Sequence, residues 1–372
     1  MLYIETKIRF NVNLMSSHYP KQQNAATQNQ ITNFTKQTYF TTALKTVLLG
    51  CSIVMASACT QEKEASQATQ VTEAASPETP PAPAPADTAV QEVAEAPEAD
   101  SAWEYPGPKP LKGAILPQKR VIAFYGNLLS KRMGILGELP PEQMLSKLDE
   151  EVANWEKADS LTPVQPALHA IVVTAQGSPG KGAKYRLRMT DKMIDDVLEI
   201  AKKRDAIVFL DVQIGRSTLQ EELPRLTQYL QLPNVHLGVD AEFAMGETGV
   251  PGKRVGSFDA ADLNYASGLL ADLVKEHQLP PKLFIVHRFT QRMITNYKDI
   301  KLRPEVQVVM HMDGWGSPAL KKDTYRRYIK NEPVQFTGFK LFYKNDTKKG
   351  HRLMTPAEIL ALEPKPLYIQ YQ

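Results

Sequence analysis

The chain has 372 residues, with 44 Lys and Arg against 41 Asp and Glu, and a net charge of +3. Its only two cysteines, Cys51 and Cys59, lie together in one early apolar stretch. The rest of the chain can therefore hold no disulfide framework, no zinc–thiolate site and no cysteine nucleophile. The small net charge conceals a partition. Residues 1–58 carry five Lys and Arg against Glu5, and residues 60–104 carry ten acids against Lys63, which leaves about +8 on the rest.

Residues 1–58 read as a signal region, with a long Gln/Asn/Thr-rich leader before Lys45 that points to an upstream-misassigned start. The run from Thr46 to Ala58 has the dimensions of a signal-peptide core and is too short to span a bilayer. Ala56-Ser57-Ala58-Cys59 resembles a bacterial lipobox, in which the cysteine is lipidated and becomes the mature N-terminus. Leu48-Leu49-Gly50-Cys51 fits the box better, but it leaves only five residues after Lys45, so Cys59 is the favoured lipid site. Residues 59–104 are Ala, Pro, Glu, Thr and Gln, including Pro80-Pro81-Ala82-Pro83-Ala84-Pro85. With so few large apolar side chains, this segment is expected to be a disordered tether. The expected address is the bacterial cell envelope, with the membrane reached through the N-terminal lipid.

Residues 105–372 suffice for one barrel domain, which takes about 250 residues. Eight short apolar runs occupy 120–125, 168–174, 206–212, 235–242, 283–287, 306–312, 337–343 and 367–372. Continuous Val, Ile, Leu and Phe of this length suit strands buried on both faces. Helices are predicted between them: from Pro141 to about Lys157, from a Thr190 cap to Lys203, from Ser217 to Leu230, and from an Asp259 cap to His277. Shorter ones are predicted over 290–299, 318–330 and 355–362. No eighth helix is read, so residues 103–118 are the segment available to cover the barrel. This rhythm predicts a single (β/α)8 TIM-barrel-like domain. A Rossmann-like open sheet is disfavoured because Tyr125-Gly126-Asn127 is no glycine-rich phosphate loop. Gly177-Ser178-Pro179-Gly180 reads as a loop over the barrel mouth.

Such barrels place their chemistry at the C-terminal ends of the strands. Asp240 and Glu242 fall there, two residues apart on a predicted strand, hence on one face and about 6.5 Å apart at Cα. Two carboxyls in one mouth raise each other's pKa, giving the acid and the stabiliser that glycosidic cleavage needs. Other strand ends supply candidate substrate-binding groups: Tyr125, Gln176, Asp211, Gln213, His287, His311, Asp313, Trp315, Lys340, Tyr343 and Tyr371. Aromatic faces with Asp, Gln and His tips suit sugar hydroxyls. Lys340 in mid-strand calls for a carboxylate partner, Asp240 or Asp313.

Gly238-Val239-Asp240-Ala241-Glu242 resembles the end of the fourth-strand motif of chitinase-type (β/α)8 glycoside hydrolases. That resemblance implies Glu242 as general acid and Asp240 as the group that positions substrate. His236 and Gly238 stand where that family has an earlier Gly and Asp, which departs from the acetamido-assisted pattern. The layout of 120–372 also resembles that of uncharacterised bacterial lipoproteins. The expected function is a lipid-anchored, monomeric glycoside hydrolase-like protein that acts on or binds an envelope polysaccharide. The alternatives are a non-catalytic barrel that binds glycan or protein, and a metal-dependent hydrolase built on Asp211, Asp240, Glu242, His287, His311 and Asp313. The metal reading is disfavoured because no first-strand HxH is present, so no metal and no cofactor is expected. Serine-hydrolase and nucleic-acid-binding motifs are absent.

Overall fold

The computed structural model describes residues 103–372. Cys51, Cys59 and the predicted tether up to residue 102 lie outside the described residues. Eight parallel strands form the barrel: β1 (Arg120–Gly126), β2 (Val164–Ala175), β3 (Ile207–Val212), β4 (Val235–Asp240), β5 (Lys282–Arg288), β6 (Val306–Met312), β7 (Phe336–Leu341) and β8 (Tyr368–Tyr371). Each pairs with its sequence neighbour, and β1 pairs with both β2 and β8, so the sheet closes. Residues 103–372 fold as the expected (β/α)8 TIM barrel, each predicted run supplying one strand, with those from 235 and 337 ending two residues early, at Asp240 and Leu341.

Alternation along the strands divides the core in two. Val121, Ala123, Ala167, Ile207, Phe209, Leu283, Ile285, Val309 and Tyr368 fill the lower barrel interior. The opposite parity, including Ile122, Phe124, Val208, Leu210, Phe284 and Val286, packs against the surrounding helices. A TIM barrel is a filled core of this kind rather than a pore. Residues 103–118 close the floor. Tyr105 and Trp103 pack on Phe336, with ring centroids 4.8 and 6.0 Å away. The Gln307 Oε1 accepts the N–H groups of Ile115 and Leu116 at 2.9 and 3.2 Å.

The helices follow their sequence signals closely where caps exist. α1 (Pro141–Ala158) opens on proline, and α2 (Asp191–Lys202) is capped by the Thr190 side chain. The long helix α3 (Ala260–Glu276) begins with a reciprocal capping box between Asp259 and Asp262. Two predicted helices are corrected. The one expected from Ser217 to Leu230 is broken into Leu219–Glu222, a 3-10 turn at Pro224–Leu226 and Thr227–Leu230, because Pro224 interrupts the hydrogen-bond ladder. The one expected over 290–299 is two 3-10 turns separated by a short strand, Ile294–Thr295, and by Asn296 in the left-handed region (φ 55°). Among the described residues, no helix is long and apolar enough to cross a membrane.

Candidate functional site

Above the apolar lower layer, the inward positions turn polar. Tyr125, His169, Asp211, Gln213, Asp240, His287, His311, Asp313, Lys340 and Gln370 are all buried, none more than 3 % exposed. Burying this many polar groups is costly unless they bond to each other, and most of them do. Asp211 is the hub. Its Oδ1 lies 3.2 Å from His169 Nε2 and 3.4 Å from His287 Nε2. Its Oδ2 accepts the Tyr125 hydroxyl at 3.0 Å, and that hydroxyl accepts from Gln213 Nε2 at 3.2 Å. The other ring nitrogen of His287 bonds Asp313 Oδ2 at 3.0 Å, and Lys340 Nζ pairs with Asp313 Oδ1 at 3.1 Å. The Lys340 ammonium also sits 3.8 Å from the Tyr125 ring centroid, a cation–π contact. Of the two expected partners for Lys340, the structure brings Asp313.

Two strand glycines make room for this cluster. A Cβ on Gly238 of β4 would stand 2.4 Å from His169 Nε2 and 2.7 Å from Asp211 Oδ1, and one on Gly338 of β7 would stand 2.5 Å from His311 Nδ1. The absence of a side chain at 238 lets β4 lie directly against the His169–Asp211 pair.

Charge is distributed unevenly. Burial pushes the Asp211 carboxyl up, but the adjacent His287 and His169 outweigh it and hold it below the ordinary carboxylate range. Burial alone would lower His287; Asp211 and Asp313 overcome it and raise the imidazole to about 9. His169 is lowered to about 4, chiefly by burial. His311 also falls well below its ordinary value through burial and the nearby His287. Asp240 moves the other way. Burial, reinforced by Glu242, Asp313 and Asp211 against the opposing pull of His287, raises it to about 7. It is a carboxylic acid that keeps its proton close to neutrality.

The Asp240–Glu242 arrangement differs from the strand geometry expected. β4 stops at Asp240, and Glu242 lies in a 3-10 turn, Ala241–Phe243, whose first free N–H groups need an acceptor. Asp240 supplies it: Oδ1 accepts the Glu242 N–H at 3.0 Å. Asp240 thus caps the turn that carries Glu242, and Glu242 is 8 % exposed against 2 % for Asp240.

The remaining sequence candidates divide. Gln176 and Trp315 are half-buried beyond the ends of β2 and β6. Tyr343 and Tyr371 lie outside the barrel, stacked on each other at 5.2 Å. The Tyr343 hydroxyl donates to Glu151 of α1 at 2.6 Å, and Tyr371 accepts from Trp155 of the same helix at 2.9 Å. Their parity explains this, since Tyr371 alternates with the inward Gln370 and Tyr343 follows the end of β7. Sequence reasoning missed His169, Tyr368 and Gln370. His169 Nδ1 lies 2.5 Å from the Tyr368 hydroxyl and 3.0 Å from Gln370 Nε2. The available signal was polar residues at alternate positions of otherwise apolar strands, Leu168-His169-Ala170 and Ile369-Gln370-Tyr371.

Among the described residues, two sets of side chains offer three donor atoms within 4.8 Å of one another: His169, Asp211 and His287, and Asp240, His287 and Asp313. The arrangement as a whole can hold a cation, move protons between imidazole and carboxyl groups, and present an acid at the rim. No family model matches the chain, and no curated protein matches it.

Proposed function

We propose that the barrel acts on or binds a glycan polymer at its C-terminal mouth, with Asp240 and Glu242 as the reactive carboxyl pair. The observation that carries this reading is their position at the end of β4, one acid capping the turn that bears the other, above a cluster of buried acids and imidazoles. Glu242, the less buried of the two, is the proton donor to the glycosidic oxygen. Asp240 fixes its turn and supplies a neighbouring carboxyl whose pKa burial raises to about 7. In the same proposal, the protein is a lipoprotein of the bacterial envelope, held to the membrane through Cys59 and delivered to its polymer by residues 59–104.

The test is release of new reducing ends from envelope polysaccharides by wild type, Glu242→Gln and Asp240→Asn. Loss of a general acid typically costs about 10²–10⁴ in rate. Glu242→Gln is expected to fall in that range while keeping its fold and most of its glycan affinity. Asp240→Asn, which retains an acceptor for the Glu242 N–H, is expected to lose less. Equal turnover in all three proteins would remove the pair from the mechanism. Binding without turnover in wild type would make the barrel a glycan-binding module.

A further inference from the structure

We infer that His169, Asp211 and His287 form a binding site for one divalent first-row transition ion, with His169 Nε2, Asp211 Oδ1 and His287 Nε2 as ligands. Bonds of about 2.0–2.1 Å to nitrogen and oxygen, arranged tetrahedrally, place neighbouring ligand atoms about 3.3–3.4 Å apart. Asp211 Oδ1 stands 3.2 Å from His169 Nε2 and 3.4 Å from His287 Nε2. Charge-assisted hydrogen bonds are shorter, about 2.7–2.9 Å. His287 Nε2 is fully buried and, despite its approach to Asp211, has no hydrogen-bond partner. Its one polar neighbour is the Asp211 carboxylate at 3.4 Å, and a bound ion would take the place of the proton between them.

The groups behind these atoms are those a metal site requires. Ligating imidazoles hold their second nitrogen against a carboxylate or another polar group, which fixes ring and tautomer. His287 Nδ1 is held by Asp313 at 3.0 Å, and Asp313 is in turn held by Lys340. The non-ligating Oδ2 of Asp211 is held by Tyr125 at 3.0 Å. His169 Nδ1 faces Tyr368 and Gln370. Gln370 Oε1 is buried without a hydrogen-bond partner. Turned by 180°, the amide presents that oxygen to His169 Nδ1–H and leaves the Nε2 lone pair directed at Asp211. One ion therefore satisfies the unpaired His287 Nε2, while the amide turn exchanges the Gln370 Nε2 bond to the Tyr368 hydroxyl for one from His169 Nδ1–H.

The second set, Asp240, His287 and Asp313, is the weaker site, because the Lys340 ammonium already occupies Asp313. Two imidazoles and one carboxylate suit Zn²⁺ and its neighbours rather than Mg²⁺ or Ca²⁺, which favour all-oxygen shells. The inference is independent of the glycan reading, since none of the three ligands is the proposed proton donor.

The experiment is calorimetric titration of chelator-treated full-length protein with ZnCl₂, backed by the visible spectrum of the Co²⁺ form. One equivalent of Zn²⁺ is expected to bind wild type, with intense Co²⁺ bands of low-coordinate geometry. Asp211→Asn and His287→Gln are expected to weaken Zn²⁺ binding at least 10-fold. His236→Gln removes a buried histidine from the lower barrel and is expected to bind as wild type does. Absence of stoichiometric Zn²⁺ and Co²⁺ binding to wild type overturns the inference, whether or not the ligand variants fold. Equal loss in His236→Gln also overturns it, by showing that binding tracks general stability rather than these ligands.

Discussion

Adding one methyl group to β4 tests the close approach of that strand to the polar cluster. In Gly238→Ala, the new Cβ stands 2.4 Å from His169 Nε2 and 2.7 Å from Asp211 Oδ1, both inside van der Waals contact. Neither neighbour has a free retreat. The His169 ring is stacked on Phe209 at 5.0 Å and held by Tyr368, while Asp211 is held by Tyr125. Overpacking of a well-filled core costs about 1–3 kcal/mol. Separating His169 from Asp211 adds the loss of a bond to a charged group, about 1.5–3 kcal/mol. The sum is about 2.5–6 kcal/mol, which in a domain of this size lowers the melting temperature by about 5–24 °C. Calorimetry and guanidinium denaturation, followed by tryptophan fluorescence, measure both. Gly177→Ala is the matched control, since nothing lies within 4 Å of its Cβ; surface changes of that kind stay within about 0.5 kcal/mol. A loss below about 1 kcal/mol in Gly238→Ala would refute the claim that β4 lies against this pair.

Two further outcomes are expected. His236 is buried, its Nδ1 accepts the Leu283 N–H at 3.2 Å, and burial together with Lys282 lowers its pKa well below the ordinary value. The unfolded chain takes up a proton near pH 6.5 that the folded chain refuses, so this stability is complete above that pH and is lost as pH falls through it. His236→Gln keeps an acceptor and should flatten the decline between pH 7 and 5 by up to about 1.4 kcal/mol per pH unit; superimposable pH curves would contradict this. If Cys59 carries the lipid, Cys59→Ala should shift the protein from the detergent phase to the aqueous phase or leave an unprocessed precursor. Unchanged partitioning and processing would remove the anchor.

The barrel was legible because its signals are local and repeated. Runs such as 206–212 are too short for helices and too apolar for exposed strands, and caps such as Thr190 and Asp259 punctuate them. The misread helices lacked that agreement, since Pro224 and Asn296 act on the backbone against an acceptable side-chain pattern. At the site, parity along each strand identified Asp211, Asp240, His287, His311, Asp313 and Lys340 as groups of the upper barrel. Parity could not show that β4 ends at Asp240, because Ala241 and Glu242 continue an acceptable strand pattern until the Asp240 side chain captures the Glu242 N–H. Tyr343 and Tyr371 attract attention as terminal aromatics, yet their direction depends on where β7 stops and on α1 offering Glu151 and Trp155. The Asp211 hub is the least legible feature. Its members come from β1, β2, β3 and β5, and no linear motif records a contact made across a barrel.

The plugged floor has a mechanical consequence. The chain enters the domain at Trp103, beneath the barrel, at the face opposite Asp240 and Glu242. Tension applied through the preceding residues loads the ring contacts on Phe336 first, then the Leu111–Pro304 backbone bond and the Gln307 clasp on Ile115 and Leu116. These contacts are arranged in series and peel one at a time, whereas the strand ladders around the barrel share a load in parallel. A pull would therefore unfasten the base while the rim kept its shape, so the plug acts as a sacrificial fastening beneath the barrel.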